Sequence, residues 1–243
     1  MNGQTFTPAL GRFAPTRFYD TVVALTRERR WRDHLARHAC PRPGDVLVDV
    51  GCGTGTQALL LKRIEPSARV IGIDPDPDVL AAARRKGNAA ERHPGGGKAV
   101  RPPDRPTGIA DRRTSGDDAV EWRAGLGDAL IEVVGAGMAT TVVSSLVLHQ
   151  CSMEMKRAVL ASMFAVLRPG GRLVIADYGL QRTWPMRLAF RLVQAADGKT
   201  DTQPNADGIL PALISEAGFR DVREAEVVST ITGSISVYVA RRA

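Results

Sequence analysis

The sequence predicts an α/β fold: a doubly wound, mostly parallel sheet with helices on both faces, finished by an antiparallel hairpin. Three observations carry that expectation. Near-continuous β-branched runs alternate with segments of helical length from residue 46 onward, a pattern suited to strands buried on both faces. The first of these runs passes directly into alternate glycines and then into a helical pattern. The last 25 residues switch to the two-residue period of paired strands.

The strand-like runs are Val46 to Val50, Val70 to Ile73, a weaker Val120 to Arg123, Thr141 to Leu146 and Leu173 to Ala176. Met153 to Leu167 is the clearest helix: Met155, Val159, Ser162, Met163 and Val166 recur at three- and four-residue spacing, and Arg168-Pro169-Gly170-Gly171 closes it. Val222 to Val228 and Ile231 to Val239 form the closing hairpin, with Ile235, Val237 and Val239 alternating against Ser234, Ser236 and Tyr238. The most apolar stretch, Leu130 to Leu148, is interrupted by Glu132, two glycines, two threonines and two serines. It reads as a helix end, a turn and a buried strand, and no membrane span is expected. Asn88 to Ala119 breaks the rhythm, with four Pro, five Gly and hardly any large apolar residue in 32 positions. Such a composition buries too little surface to offset the entropy of ordering, so a disordered insertion is expected there. The whole chain, 1–243, is expected to form one domain, with 1–40 as an N-terminal lid segment and helix.

The sharpest motif is Val46-Leu-Val-Asp-Val-Gly-Cys-Gly-Thr-Gly55. Gly51, Gly53 and Gly55 allow a tight turn and close approach to a ligand, while the helix that follows offers free amide donors. Twenty-one residues after Gly53, Asp74 ends the second strand, where a carboxylate can accept the hydroxyl protons of a ribose. The pair implies an adenosine-type cofactor. Asp49, in the strand just before the loop, would repel a pyrophosphate and suits a ligand with a cationic amino group or sulfonium. An NAD-dependent oxidoreductase is therefore the weaker alternative.

VDVGCGTGT, VIGIDPDPDVL, TTVVSSLVLHQ and LRPGGRLVIADYG together resemble the class I S-adenosylmethionine-dependent methyltransferases of the small-molecule branch, over roughly residues 15 to 243. The resemblance implies a Rossmann-like, seven-stranded sheet and S-adenosyl-L-methionine as cofactor. It places Asp49, Gly51, Cys52, Gly53, Thr54 and Gly55 along the methionine and ribose, and Asp74 on the ribose hydroxyls with Pro75 against the adenine. Asp128 and Ala129 would meet the adenine amino group, Ser144, Ser145 and Leu146 the methyl-bearing end, and Tyr19 would belong to a lid. His149 is the candidate general base, with Asp177 and Tyr178 the next residues expected to touch the acceptor.

The chain is basic, with 33 Lys and Arg against 26 Asp and Glu, net charge +7 and pI about 9.8. Arginines cluster at Arg27, Arg29, Arg30 and Arg32, and again at Arg182, Arg187 and Arg191, where a lid and an acceptor roof are expected. With no recognisable nucleic-acid-binding module, the charge points to a pocket or an interface, and a nucleic-acid methyltransferase stays an alternative, as does a catalytically silent binding protein. The expected partner is a small-molecule methyl acceptor, and a monomer or homodimer is expected. Gln203, Asn205 and Asp207 are expected near the pocket mouth. Cys40, Cys52 and Cys151 lack metal or disulfide spacing, and the N-terminal twenty residues lack the apolar run of a secretory signal, so a reducing, cytoplasmic setting is expected. His34 and His38 share a helix face that is expected to be solvated, and no metal is expected.

Overall fold

The structure, a computed structural model, describes residues 27–92 and 119–243. In chain order its elements are α1 (Glu28–Ala39), β1 (Val46–Val50), α2 (Thr56–Ile64), β2 (Arg69–Asp74), α3 (Pro77–Arg92), β3 (Glu121–Ala124), α4 (Leu130–Val134), β4 (Ala139–Ser145), a 3-10 turn (Leu148–Gln150), α5 (Met153–Val166), β5 (Leu167–Tyr178), α6 (Trp184–Asp197), α7 (Lys199–Ala206), α8 (Leu210–Glu216), β6 (Arg220–Thr230) and β7 (Gly233–Arg241). The seven strands form one sheet in the order β3-β2-β1-β4-β5-β7-β6. β1 pairs in parallel with both β2 and β4, and β7 runs antiparallel between β5 and β6. Strand order therefore reverses between β1 and β4, and at such a switch point a crevice opens beyond the carboxyl ends of the strands.

The alternation along β1 decides what each face buries. Leu47 joins Trp31 and Leu35 of α1, Ala58 and Leu61 of α2 and Phe190 of α6 in one apolar layer. Val48 and Val50 join Leu130, Leu160 and Met163 in the other, which α8 completes with Leu210, Leu213 and Ile214. Each fully buried large apolar side chain contributes about 1.5–3 kcal/mol. Asp49 has the parity of Leu47, so a carboxylate stands in the α1–α2 layer where the pattern calls for an aliphatic residue.

Helix starts follow their capping chemistry. The Asp76 carboxylate accepts from the amides of Asp78 and Val79 at 2.9 and 3.3 Å ahead of Pro77 and the rest of α3, and Ser152 and Thr183 cap α5 and α6. Helix α3 continues through Arg92, so the segment expected to be disordered from Asn88 begins with a helix end; residues 93–118 of it lie outside the described residues. Ala89, Ala90, Glu91 and Arg92 are good helix formers whose preference an average over the Pro- and Gly-rich remainder conceals. His34 and His38 are not on a solvated face: both meet Glu226 Oε1 of β6, at 3.1 and 3.4 Å. Among the described residues no helix is long and apolar enough to cross a membrane.

Candidate active site

The glycine loop leaves β1 and is pinned to the neighbouring strand: the amides of Gly51 and Cys52 both donate to Ile73 O, at 2.9 and 3.0 Å. Gly51, Gly53 and Gly55 all have positive φ, as their alternation suggests. Their surroundings differ. A Cβ on Gly51 would stand 2.3 Å from Val147 Cγ2, and one on Gly55 2.3 Å from Trp122 Cη2, whereas a Cβ on Gly53 would meet nothing within 4 Å. The loop is thus wedged between β3 and the end of β4 and opens toward space only at Gly53. Gly51→Ala, at φ +68° and against Val147, is expected to lower stability by about 2–4 kcal/mol. Adding Val147→Ala should recover part of that loss in a denaturant titration, since the clash is relieved and the backbone strain is not.

Asp74 ends β2 with its carboxylate turned back to the loop. Oδ2 accepts from the Gly53 amide at 2.9 Å and Oδ1 from the Asp76 amide at 3.0 Å, leaving further lone pairs on both oxygens. Burial pushes its pKa up and the two amides pull it back. Pro75 and Thr54 are half-buried beside it. Cys52 is buried and its thiol pKa is pushed up, first by burial and then by Asp49 and Asp74, so it packs as a small neutral group.

Asp49 is the anomaly. It is fully buried, and neither oxygen accepts a hydrogen bond of ordinary geometry. Burial pushes its pKa up to about 7, with Arg32 and the Ala58 amide pulling down and Asp74 pushing up. Arg32 gives it no direct partner: the guanidinium bonds Glu28 at 2.6 Å and lies 4.4 Å over the Trp31 ring. A buried carboxylate without a partner costs free energy that a cationic ligand group offsets. The open Gly53, the Asp74 lone pairs and the orphaned Asp49 together fit the ribose and the cationic methionine end of S-adenosylmethionine.

Asp128 lies half-buried just before α4, whose first turn has no side-chain cap at Ala129; the Ser162 hydroxyl receives the Leu130 amide instead, at 2.8 Å. At the end of β4, the Ser144 hydroxyl donates to Val50 O at 2.8 Å, tying the two strands of the switch point together. Ser145 is half-buried, and Leu146 adopts φ +55°, a left-handed conformation uncommon for a branched residue and often found beside ligands. Tyr19 lies outside the described residues.

His149, Asp177 and Tyr178 do come together, in a buried cluster. The Asp177 carboxylate accepts four hydrogen bonds: from the amides of Val147, Leu148 and Tyr178 at 3.1, 2.7 and 2.7 Å, and from His149 Nδ1 at 2.7 Å. His149 Nε2 lies 3.4 Å from Asp197 Oδ2 at the end of α6. Burial alone would lower the His149 pKa, but Asp177 and Asp197 outweigh it and raise it to about 9. The imidazole is a cation at neutral pH with both nitrogens engaged. Tyr178 stacks edge-on against it at 5.0 Å and shares a 2.8 Å hydrogen bond with Thr232. Nearby, the fully buried Lys156 ammonium donates to Cys151 O and, at 2.8 Å, to Asp201 O.

Gln203, Asn205 and Asp207, expected near the pocket mouth, tie α7 to α6 and to the end of β5. Gln203 bonds Gln194 at 2.8 Å and Asp207 at 2.9 Å, and the fully buried Asn205 donates to Tyr178 O at 3.1 Å. Sequence reasoning did not single out Trp122, Val147, Lys156 or Asp197. For Trp122 and Val147 the only cue was the small size of Gly55, Gly72 and Gly51, which identifies a partner only once strands are paired.

A family profile described as a methyltransferase domain matches residues 23–221. The demethylmenaquinone methyltransferase of Thermus thermophilus is 29% identical over 173 residues, 71% of this chain and 63% of that protein. The chain thus spans less than two thirds of the length of the first curated relatives it matches. Among solved structures, an O-methyltransferase family protein from Burkholderia thailandensis superposes with TM-score 0.64 at 17% identity, covering 93% of this chain and 58% of that one. A methyltransferase from Thermotoga maritima described as a possible histamine N-methyltransferase gives TM-score 0.62 at 16% identity, covering 94% and 97%. These two likenesses show the fold. With the profile match across most of its length, the chain belongs to the class I S-adenosylmethionine-dependent methyltransferases.

Proposed function

We propose that this chain transfers the methyl group of S-adenosylmethionine to a small organic acceptor. The observation that carries the reading is the orphaned, fully buried Asp49 carboxylate beneath a glycine loop whose open position faces Asp74. When bound, the cofactor supplies a methyl on a sulfonium already activated for displacement. Asp49 holds the cationic end, Asp74 the ribose hydroxyls, and Asp128 the adenine amino group. Ser145 and the backbone at Leu146 border the methyl, where the remaining task is to align the acceptor and exclude water. The geometry of His149 supports a positioning role: it locks the 3-10 turn after β4 to β5 and α6, and Asp177 and Tyr178 belong to the same lock. An acceptor that must lose its proton would then give it to another group or arrive ionised. The name of the Thermus relative, a demethylmenaquinone methyltransferase, supports an organic ring compound as acceptor.

Transfer of labelled methyl from S-adenosylmethionine to a fractionated metabolite extract tests the reading and identifies the acceptor. Calorimetry showing NADH binding in place of S-adenosylhomocysteine would replace it with the oxidoreductase. A finer test uses Asp49. Its pKa of about 7 falls when a cation binds, so S-adenosylhomocysteine affinity rises with pH through about 7 and binding releases a proton. Calorimetry in buffers of different ionisation enthalpy reads that proton, and Asp49→Asn should abolish it.

A further inference from the structure

Helix α6 is apolar on two sides. Phe190 and Val193 face the core, as expected, but Trp184, Leu188 and Leu192 fall four residues apart on the opposite side and are 70%, 47% and 64% exposed. Ile231, in the turn between β6 and β7, is 58% exposed and stands at the same end of the sheet, since Gly233 beside it packs on Phe190. Single exposed apolar residues are ordinary; a large aromatic and two leucines in one stripe are not. Arg187 and Arg191 are exposed on the flank of the stripe, and Lys199 is exposed just beyond the helix. Arg187 is anchored through Nε to Gln181 O at 3.0 Å, which fixes its place and leaves its charge uncompensated by any carboxylate among the described residues. Asp197, the acidic residue of this helix, is turned inward to His149.

From this arrangement we propose that the outer face of α6 docks on a lipid bilayer bearing anionic headgroups. Trp184, Leu188 and Leu192 enter the interface while Arg187, Arg191 and Lys199 reach the headgroups. A helix with an aromatic and aliphatic stripe beside a basic flank is the form that lies in a membrane plane, and its long cationic stems let charge stay at headgroup level. Charge decides between this occupant and a second copy of the chain. A two-fold interface through the stripe would set each copy's arginines near its partner's, on a protein already at +7, whereas an anionic surface neutralises them. The inference does not rest on the methyl-transfer reading.

The test is vesicle sedimentation of the full chain, together with Trp184 fluorescence. Of the three tryptophans, Trp31 is fully buried and Trp122 half-buried, so a blue shift on binding reports Trp184. The chain should partition onto phosphatidylcholine vesicles carrying about 30% phosphatidylglycerol, with affinity falling steeply as salt is raised, and bind pure phosphatidylcholine at least tenfold more weakly. Leu192→Ser with Trp184→Ser should reduce partitioning at least tenfold. Arg187→Gln with Arg191→Gln should weaken it and flatten its salt dependence, and an unchanged far-UV circular dichroism spectrum and urea midpoint show that the variant is folded. Equal binding to neutral and anionic vesicles, no binding at low salt, or a dimer in sedimentation velocity that Trp184→Ser dissociates would each overturn the proposal.

Discussion

Asp177→Ala is expected to lower folding stability by about 3–5 kcal/mol, the largest effect of any single substitution at the site. The change leaves the amides of Val147, Leu148 and Tyr178 without their acceptor and strands a buried imidazolium with only the longer contact to Asp197. Each orphaned buried donor costs about 1–3 kcal/mol, and incomplete relaxation sets the range. Urea denaturation measures it, and a loss below about 1 kcal/mol would show that the network is solvated and not structural. The wild type carries a matching pH signature. His149 moves from an ordinary 6.5 when unfolded to about 9 when folded, so its contribution is complete below pH 6.5 and is lost as pH rises through 9. His149→Gln should flatten stability across that window.

Asp74→Ala should weaken S-adenosylhomocysteine binding at least tenfold, about 1.4 kcal/mol or more. Two effects add. The ribose loses its charged acceptor, and the Gly53 and Asp76 amides lose the oxygens that hold the loop to the end of β2. Asp74→Asn separates them, because its single carbonyl can keep one amide in place while the charge is gone. If both variants bind as tightly as the wild type by calorimetry, the ribose assignment is wrong.

The parallel core of the fold was legible because its strands are locally distinctive: Val46 to Val50 and Thr141 to Leu146 are short runs rich in β-branched residues, which suit a buried strand; the fourth strand itself spans Ala139–Ser145. β3 was faint because Glu121-Trp-Arg-Ala is an edge strand with three half-buried side chains and an exposed alanine. α7 left no apolar period in Lys-Thr-Asp-Thr-Gln-Pro-Asn-Ala, and tertiary bonds from Asn205 and to Asp201 hold it instead. At the site, glycines and acids announced themselves by spacing. His149 could be placed at a strand end from sequence, but its environment could not, since Asp177 and Asp197 reach it from elements that lie 28 and 48 positions onward. The same limit concealed Trp122. Its indole fills the space that a side chain at Gly55 or Gly72 would take, and only the β2–β3 register brings them together.

The pairing of β1 with β4 has a consequence for how the molecule assembles. Val50 lies beside Ser144, 94 residues away, and their hydrogen bond ties together the two strands of the switch point. The glycine loop, Asp49 and Asp74 all precede β4 in the chain, yet Gly51 finds its wall only when Val147 arrives. Closing so long a loop carries an entropic cost that only the completed central strands repay, so the β1–β4 seam is expected to form in the rate-limiting step of folding. Valine or serine truncations along that seam should slow refolding, whereas changes in the β6–β7 hairpin, a local pairing, should chiefly speed unfolding.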